Sequence, residues 1–318
     1  MEGSSGIAAS RGAVSSSNLT RTRTRRSTGE QVIKGLLALA ALMSVLTTTG
    51  IVFTLVREMI SFFGDVPFGD FFFGTTWTPL AGGESQSFGV LPLIWSTLYL
   101  TVIGLLVAIP VGLGVGVYLA EYATPLVRKI FKPIVELLAG IPTIVFGFFA
   151  LTFFTPLLTD IGIEVQIFNG LSAAIILGIL VVPTIASVSE DALSSVPQSL
   201  REGAFGLGAA KWQVVVRVVF PAALSGVVAG LVLGASRAIG ETVLILVAAG
   251  NNPNLSFDLG ISHQNMAAFI ANTARADISA GSVAYGTIFA VGGTLFAVTF
   301  VLNLVAIRFV RKYRQVYE

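Results

Sequence analysis

Six stretches of this sequence, at about residues 33–56, 91–118, 133–155, 171–190, 223–249 and 284–307, are too long and too apolar to be elements of a water-soluble core. Each reaches the roughly 20 residues that an α-helix needs to cross the hydrocarbon of a bilayer. Composition points the same way: 54% of residues are apolar and 11% charged, whereas charged residues make up about a quarter of an ordinary soluble domain. Barrel strands would appear as short alternating segments instead, so the spans are expected to be helices. The sequence therefore predicts an all-α membrane protein with six transmembrane helices, its membrane domain covering about residues 33–310.

Orientation follows from the cations, because cytoplasmic loops retain Lys and Arg. Arg11, Arg21, Arg23, Arg25, Arg26 and Lys34 precede or open the first span. Arg128, Lys129 and Lys132 separate the second and third, and Arg201, Lys211 and Arg217 the fourth and fifth. Arg308, Arg311, Lys312 and Arg314 follow the sixth, while only Arg57 and Arg275 fall on the opposite side. Both termini are thus expected to be cytoplasmic. The cations gather beside spans and form no soluble basic face interleaved with aromatics, so nucleic acid is not an expected partner.

Residues 1–32, rich in Ser, Thr, Arg and Gly without an apolar period, read as a disordered tail, and 311–318 as a short C-terminal tail. The apolar run after Lys34 exceeds the 7 to 15 residues of a signal-peptide core and reads as a retained anchor. No cysteine is present, which removes disulfides and thiolate metal sites. The single His263 has no second His or Cys with which to share a metal and reads as a polar loop residue. Outside the membrane, the aromatics of Phe68 to Trp77 are expected to act as interfacial anchors, and Met266 to Ala271 as a short interfacial helix. Glu190 and Asp191 read as solvated charges at a helix end.

Three successive spans contain an internal proline, Pro110, Pro142 and Pro183, each of which removes a backbone donor and tends to kink its helix. Gly104, Gly112, Gly114 and Gly116 in the second span permit close helix approach. In the fifth, Gly226, Gly230 and Gly234 form a small-residue stripe of the kind against which another backbone can lie. At about 100° per residue, Arg237 and Glu241 project within the arc of those glycines. A charge near the bilayer centre costs at least about 2.5 kcal/mol on insertion scales, which makes an intramembrane Arg a functional candidate. Two readings stand side by side. In one, Arg237 and Glu241 neutralise each other as an i,i+4 ion pair, although acid before base is the better helical order. In the other, the guanidinium meets an oxyanion bidentately, and Glu241 positions Arg237 or discourages the anion from remaining.

Between the fourth and fifth spans lies a polar island of about twenty residues, Glu202 to Pro221, inside a longer loop of about 195–222. Its spacing, E-G-A-x3-G-x9-V-x-F-P, resembles the EAA loop of ABC importer permeases, E-A-A-x3-G-x9-I-x-L-P, with Gly203 in place of the middle Ala. The resemblance implies a type I ABC importer permease fold and a cytoplasmic coupling helix seated on an ATP-hydrolysing partner, with Glu202, Gly203, Ala204, Gly208 and Pro221 as its coupling residues. Glu202 is expected to cap or salt-bridge that helix, and Gly208 to let it turn.

The resemblance narrows at Gly234-Ala-Ser-Arg-Ala-Ile-Gly-Glu-Thr242, which is similar to a segment of phosphate ABC transporter permeases. So are Glu136 to Gly147 and Tyr118 to Ala123, and Tyr313 to Glu318 resembles the PstC-type C-terminus. What this implies is a subunit that imports phosphate by alternating access, with Arg237 and Glu241 on the solute path. It implies a PstA-type permease, a PstB-type ATPase dimer and a PstS-type phosphate-binding protein as partners. No Gly-x4-Gly-Lys-Ser/Thr loop occurs and none of the five lysines follows a glycine. The chain is therefore expected to be no enzyme and to bind no cofactor or metal itself, ATP and Mg being held by the partner ATPase. Another oxyanion, such as sulfate or molybdate, fits a guanidinium equally well, and a passive channel is the reading from a different class.

Overall fold

The computed structural model describes residues 26–313, and six of its helical segments are long and apolar enough to cross a membrane. Helix α1 (Arg26–Asp65) opens the described chain. Its start corrects the expected tail boundary: residues 26–32 are helical, because a helix nucleated in the apolar run propagates backwards at one hydrogen bond per residue until something stops it, and no proline stands there. The rest of the expected tail, 1–25, lies outside the described residues, as do 314–318 of the expected C-terminal tail; 311–313 close the last helix.

The compact unit begins at Thr54. After the C-terminal half of α1 come α2 (Phe68–Phe73) and a two-stranded antiparallel ladder, β1 (Trp77–Thr78) on β2 (Ser87–Phe88), with Trp77 opposite Phe88 and Thr78 opposite Ser87. Here the expectation of interfacial anchors is corrected. Phe71 and Trp77 are buried in a small core with Phe62, Met266 and Phe269. Phe71 meets Phe62 edge-on at 5.5 Å and Trp77 meets Phe269 edge-on at 4.9 Å, an arrangement worth more than area burial alone. Phe68 and Phe73 remain exposed. The ladder can close only because Gly74 and Gly89 touch backbone to backbone, where any Cβ would collide.

Helix α3 (Leu91–Val117) runs on through a π turn, Tyr118–Tyr122, whose Glu121 meets Arg201. There α4 (Pro125–Leu138) begins at Thr124, whose hydroxyl accepts from the Val127 N–H. The expected third span, 133–155, is not one helix. The chain breaks at Gly140 to Pro142 and the membrane-crossing piece runs through α5 (Thr143–Phe149), a π turn at Ala150–Phe154 and α6 (Thr155–Asp160). Pro142 is the reason: its ring disfavours the helical conformation at Ile141 and it has no N–H to continue the ladder. What precedes it, α4, buries none of its residues.

Helix α7 (Gly170–Ser194) is the centre of the unit, starting from Asn169, whose side chain accepts from the Ser172 N–H. It lies directly on α3. A Cβ placed on Gly178 would stand 2.6 Å from the Gly104 carbonyl oxygen, and one on Gly116 3.0 Å from that of Ala186. Gly104, Gly112 and Gly116 serve the expected close approach, whereas Gly114 faces open space.

The segment that follows comprises α8 (Gln198–Gly206), α9 (Lys211–Val214), a π turn at Val215–Val219 and α10 (Phe220–Ile239). The expected loop of 195–222 therefore ends at Ala210, since 211–239 is one continuous span. Pro221 sits inside it. The Phe220 N–H reaches back five residues to Val215, and this widening makes room for a proline that would otherwise break the helix. At its far end the expected fifth span, 223–249, breaks at Gly240, and α11 (Val243–Ala248) starts afresh. A strap of irregular chain then leads to α12 (Met266–Thr273) and α13 (Val283–Tyr313). Helix α12 was expected at an interface; its Met266, Ala267, Ala268 and Phe269 are instead buried, Met266 and Phe269 in the first-loop core and Ala268 in the central one. His263 is a strut of that strap. Its Nε2–H donates to the Asp258 carbonyl at 2.8 Å, and Ser96 lies 3.4 Å from Nδ1.

Candidate functional site

Arg237 is set in the last turn of α10, half-buried, where its Nη1 donates to Thr184 Oγ1 of α7 at 2.9 Å. The glycine stripe explains how it gets there. Gly226 faces Ala192, Gly230 faces Val188 and Gly234 faces Ile185, so the stripe lets α10 lie against α7 and turns Arg237 towards it. Thr184 follows Pro183 inside α7. The other N–H donors of the guanidinium find no protein partner among the described residues.

Glu241 is 8% exposed but makes no ion pair with Arg237. The i,i+4 reading fails because the helix ends at Ile239, one residue before Gly240. Glu241 turns to the next element instead. Its carboxylate accepts from the Leu244 N–H at 3.2 Å, satisfying an open donor at the start of α11, while its backbone carbonyl accepts from Asn265 at 3.0 Å. The pair is thus divided in role: one side chain keeps spare cationic donors inside the bundle, and the other fixes the backbone break beside it.

At the other end of the unit, α8 carries Glu202, Gly203 and Ala204. Glu202 and Gly203 are exposed and Ala204 is half-buried against the core beneath, whereas Pro221 lies not on α8 but inside the α9 to α10 helix. Glu202 has no cap or ion-pair role among the described residues. Its neighbour Arg201 does: Nη2 donates to Glu121 Oε1 at 2.8 Å and to the Leu193 carbonyl at 2.8 Å, and Nη1 donates to the Val196 carbonyl. Gly208 turns the chain at φ 84°, a conformation costing most L-residues about 1–2 kcal/mol. Around that turn Leu207 is 91% and Trp212 56% exposed, with Phe205 beside them. Replacing Gly208 with Val, whose Cβ would meet nothing within 4 Å, is expected to strain the turn without disturbing its packing and so to lower the thermal midpoint of the chain modestly.

The charges expected to be solvated at the end of α7 divide. Asp191 is 65% exposed, but the Glu190 side chain is 1% exposed and held by Arg128 and Lys132 of α4. Burial of a carboxylate is tolerated because two cations and Ser194 satisfy it. Hydrogen bonds to Asp191 and then Glu190 hold the Lys132 ammonium above its ordinary pKa. A raised cationic pKa stabilises below the unfolded value and is lost as pH climbs through the folded one, so this tie of α4 to α7 is complete at neutral pH. Sequence reasoning missed both networks, since their partners lie 58 to 80 residues apart.

Solved structures share this architecture. An inward-facing MetNI methionine ABC transporter chain superposes with a TM-score of 0.57 at 21% identity, covering 71% of this chain and 98% of that one. A bacterial alginate ABC transporter chain also gives 0.57, at 19% identity over 91% of this chain and 99% of its own. The fold is that of a type I ABC importer permease. Residues 112–315 match the family described as binding-protein-dependent transport system inner membrane component, and the chain belongs to it. Among its relatives are the phosphate transport system permease protein PstC of Haemophilus influenzae, 31% identical over 90% of this chain and 94% of that protein, and PstC of Xylella fastidiosa, 33% identical over 74% and 76%. The probable ABC transporter permease protein YqgH of Bacillus subtilis is 32% identical over 78% and 79%. The chain is a multi-pass plasma-membrane protein.

Proposed function

We propose that this chain is the PstC-type subunit of an ATP-driven importer that moves inorganic phosphate by alternating access. The observation that carries the reading is Arg237, a cation within the bundle whose spare donors face no protein partner among the described residues and which can bind a tetrahedral oxyanion through a planar fork. The names of relatives that span nearly the whole chain support phosphate as that anion. With both termini and α8 cytoplasmic, the exposed surface of Glu202, Gly203, Phe205, Leu207 and Trp212 seats on a PstB-type ATPase. A PstA-type permease completes the pathway, and a PstS-type protein delivers phosphate from outside.

The chain supplies the path and hydrolyses nothing. ATP-driven closure of the ATPase dimer moves α8, the spans tilt, and phosphate released at the outer side meets Arg237 before the pathway reopens inward. One guanidinium attracts the anion without trapping it, high affinity being left to the binding protein. Glu241, close in sequence and negative, keeps residence short.

Uptake of labelled phosphate into cells without a high-affinity system of their own, supplied with this chain and its partners, tests the reading. Phosphate uptake that requires ATP and resists excess sulfate and molybdate is expected. Suppression by either competitor would reassign the solute, and flux without ATP would make the protein a channel.

A further inference from the structure

Arg201 touches three separate things at once. Its guanidinium donates to the carbonyls of Leu193 and Val196 at the end of α7, and through Nε at 3.2 Å and Nη2 at 2.8 Å to Glu121, in the π turn that ends α3. Both side chains are largely buried, 11% and 8% exposed. The carbonyls at a helix C-terminus lack partners within the helix, and a planar fork of five donors can meet them and a carboxylate together, which an ammonium cannot. The two helices so joined are also pressed together along their length, through Gly104 and Gly178 and again through Gly116. On its other side α8 ends at Gly208, a turn with positive φ. So α8 is tied to α3 and α7 by this buried charge pair, while Leu200 and Ala204 on its inner face pack in one apolar cluster with Val214, Val219 and Ala223 of the α9 to α10 helix.

We infer that Arg201 and Glu121 are the joint through which force on α8 reaches the α3–α7 pair, and hence the Thr184 contact of Arg237. The inference rests on the proposed seating of α8 on an ATPase. Arg201 and Glu121 are positioning residues: they touch neither solute nor nucleotide, and they convert movement of one helix into movement of two spans. The neighbouring Arg128, Lys132 and Glu190 network ties α4 to α7 without involving α8, so it supplies an internal control. Without the joint, an ATPase can still close on α8 while α3 and α7 fail to follow.

The measurement is anion imported per ATP hydrolysed by the complete complex in proteoliposomes, for Arg201→Gln, Glu121→Gln and the double variant, with Lys132→Gln as control. Each variant is expected to co-purify with the ATPase and to hydrolyse ATP at the unaltered rate. Import per ATP falls about tenfold in each single variant and no further in the double, the non-additivity expected of two groups acting as one. The control keeps its coupling. Unchanged coupling, additive losses, parallel loss of hydrolysis and import, or failure of both single variants to assemble would each overturn the joint alone. If the unsubstituted complex imports another oxyanion, the same ratio is read with that anion. If it recruits no ATPase, the functional reading falls and the joint with it.

Discussion

Replacing Arg237 with Gln is expected to lower the rate of uptake at limiting phosphate by about ten- to a hundredfold, the equivalent of the roughly 1.5–3 kcal/mol that a hydrogen bond to a charged group contributes. The complex should still assemble, because among the described residues the guanidinium makes a single hydrogen bond, to Thr184. Arg237→Lys separates charge from geometry. An ammonium keeps the attraction but not the planar fork, so a loss of a few fold is expected, between the wild type and Arg237→Gln. Thr184→Val distinguishes recognition from scaffolding: it removes the Thr184 bond and leaves the guanidinium. If Thr184→Val reproduced the full loss, the role of Arg237 would be to hold α10 on α7. Wild-type transport in Arg237→Gln would remove the residue from the path altogether.

Glu241→Gln belongs to the same experiment. The Gln carbonyl can still accept from the Leu244 N–H, so the start of α11 survives while the charge is lost. If the carboxylate shortens the stay of the anion, the variant should combine a lower KM with a lower maximal rate. A change in neither would leave Glu241 with the capping role alone.

How far the chain could be read before its structure depended on what interrupts it. The second, fourth and sixth spans lie within a few residues of their apolar runs, because there the run and the helix coincide. The third and fifth do not, for the same reason in two forms. An apolar run continues through Pro142 and through Gly240, but the helix does not. Hydropathy sees the lipid-compatible side chains and misses the backbone break, and at Gly240 it is the break that takes Glu241 away from Arg237. Pro221 errs in the opposite direction, a proline that reads as the end of a loop and lies inside a helix whose π turn accommodates it.

The aromatic first loop shows a second kind of limit. Phe71 and Trp77 look like membrane anchors because sequence supplies no sign that α12 will come to cover them. Likewise Glu190 and Arg201 look like ordinary charges at helix ends, and only the approach of α4 and of the end of α3 makes them partners. The candidate residues were legible as types in a pattern: a stripe of glycines ending in an Arg, and a polar island with fixed spacing. Their partners were not, because pairing across tens of residues is decided by the tertiary fold.

A large structural effect is expected at Gly178. A Cβ there would lie 2.6 Å from the backbone oxygen of Gly104 and 2.9 Å from Val107 Cβ. A flexible side chain could yield, but a backbone oxygen within α3 cannot do so without moving the helix. Overpacking a tight core costs typically about 1–3 kcal/mol, so Gly178→Ala should lower the thermal midpoint of the purified chain. Gly178→Leu should prevent the α3–α7 contact and with it recovery of folded protein from the membrane. Gly114→Ala is the matched control, since a Cβ at Gly114 meets nothing within 4 Å and Ala is the better helix former by about 1 kcal/mol. Equal behaviour of Gly178→Ala and Gly114→Ala would mean that α3 and α7 do not meet as closely as this geometry requires. A selective loss at Gly178 would establish the pair as the rigid element on which the proposed force-transmitting joint depends.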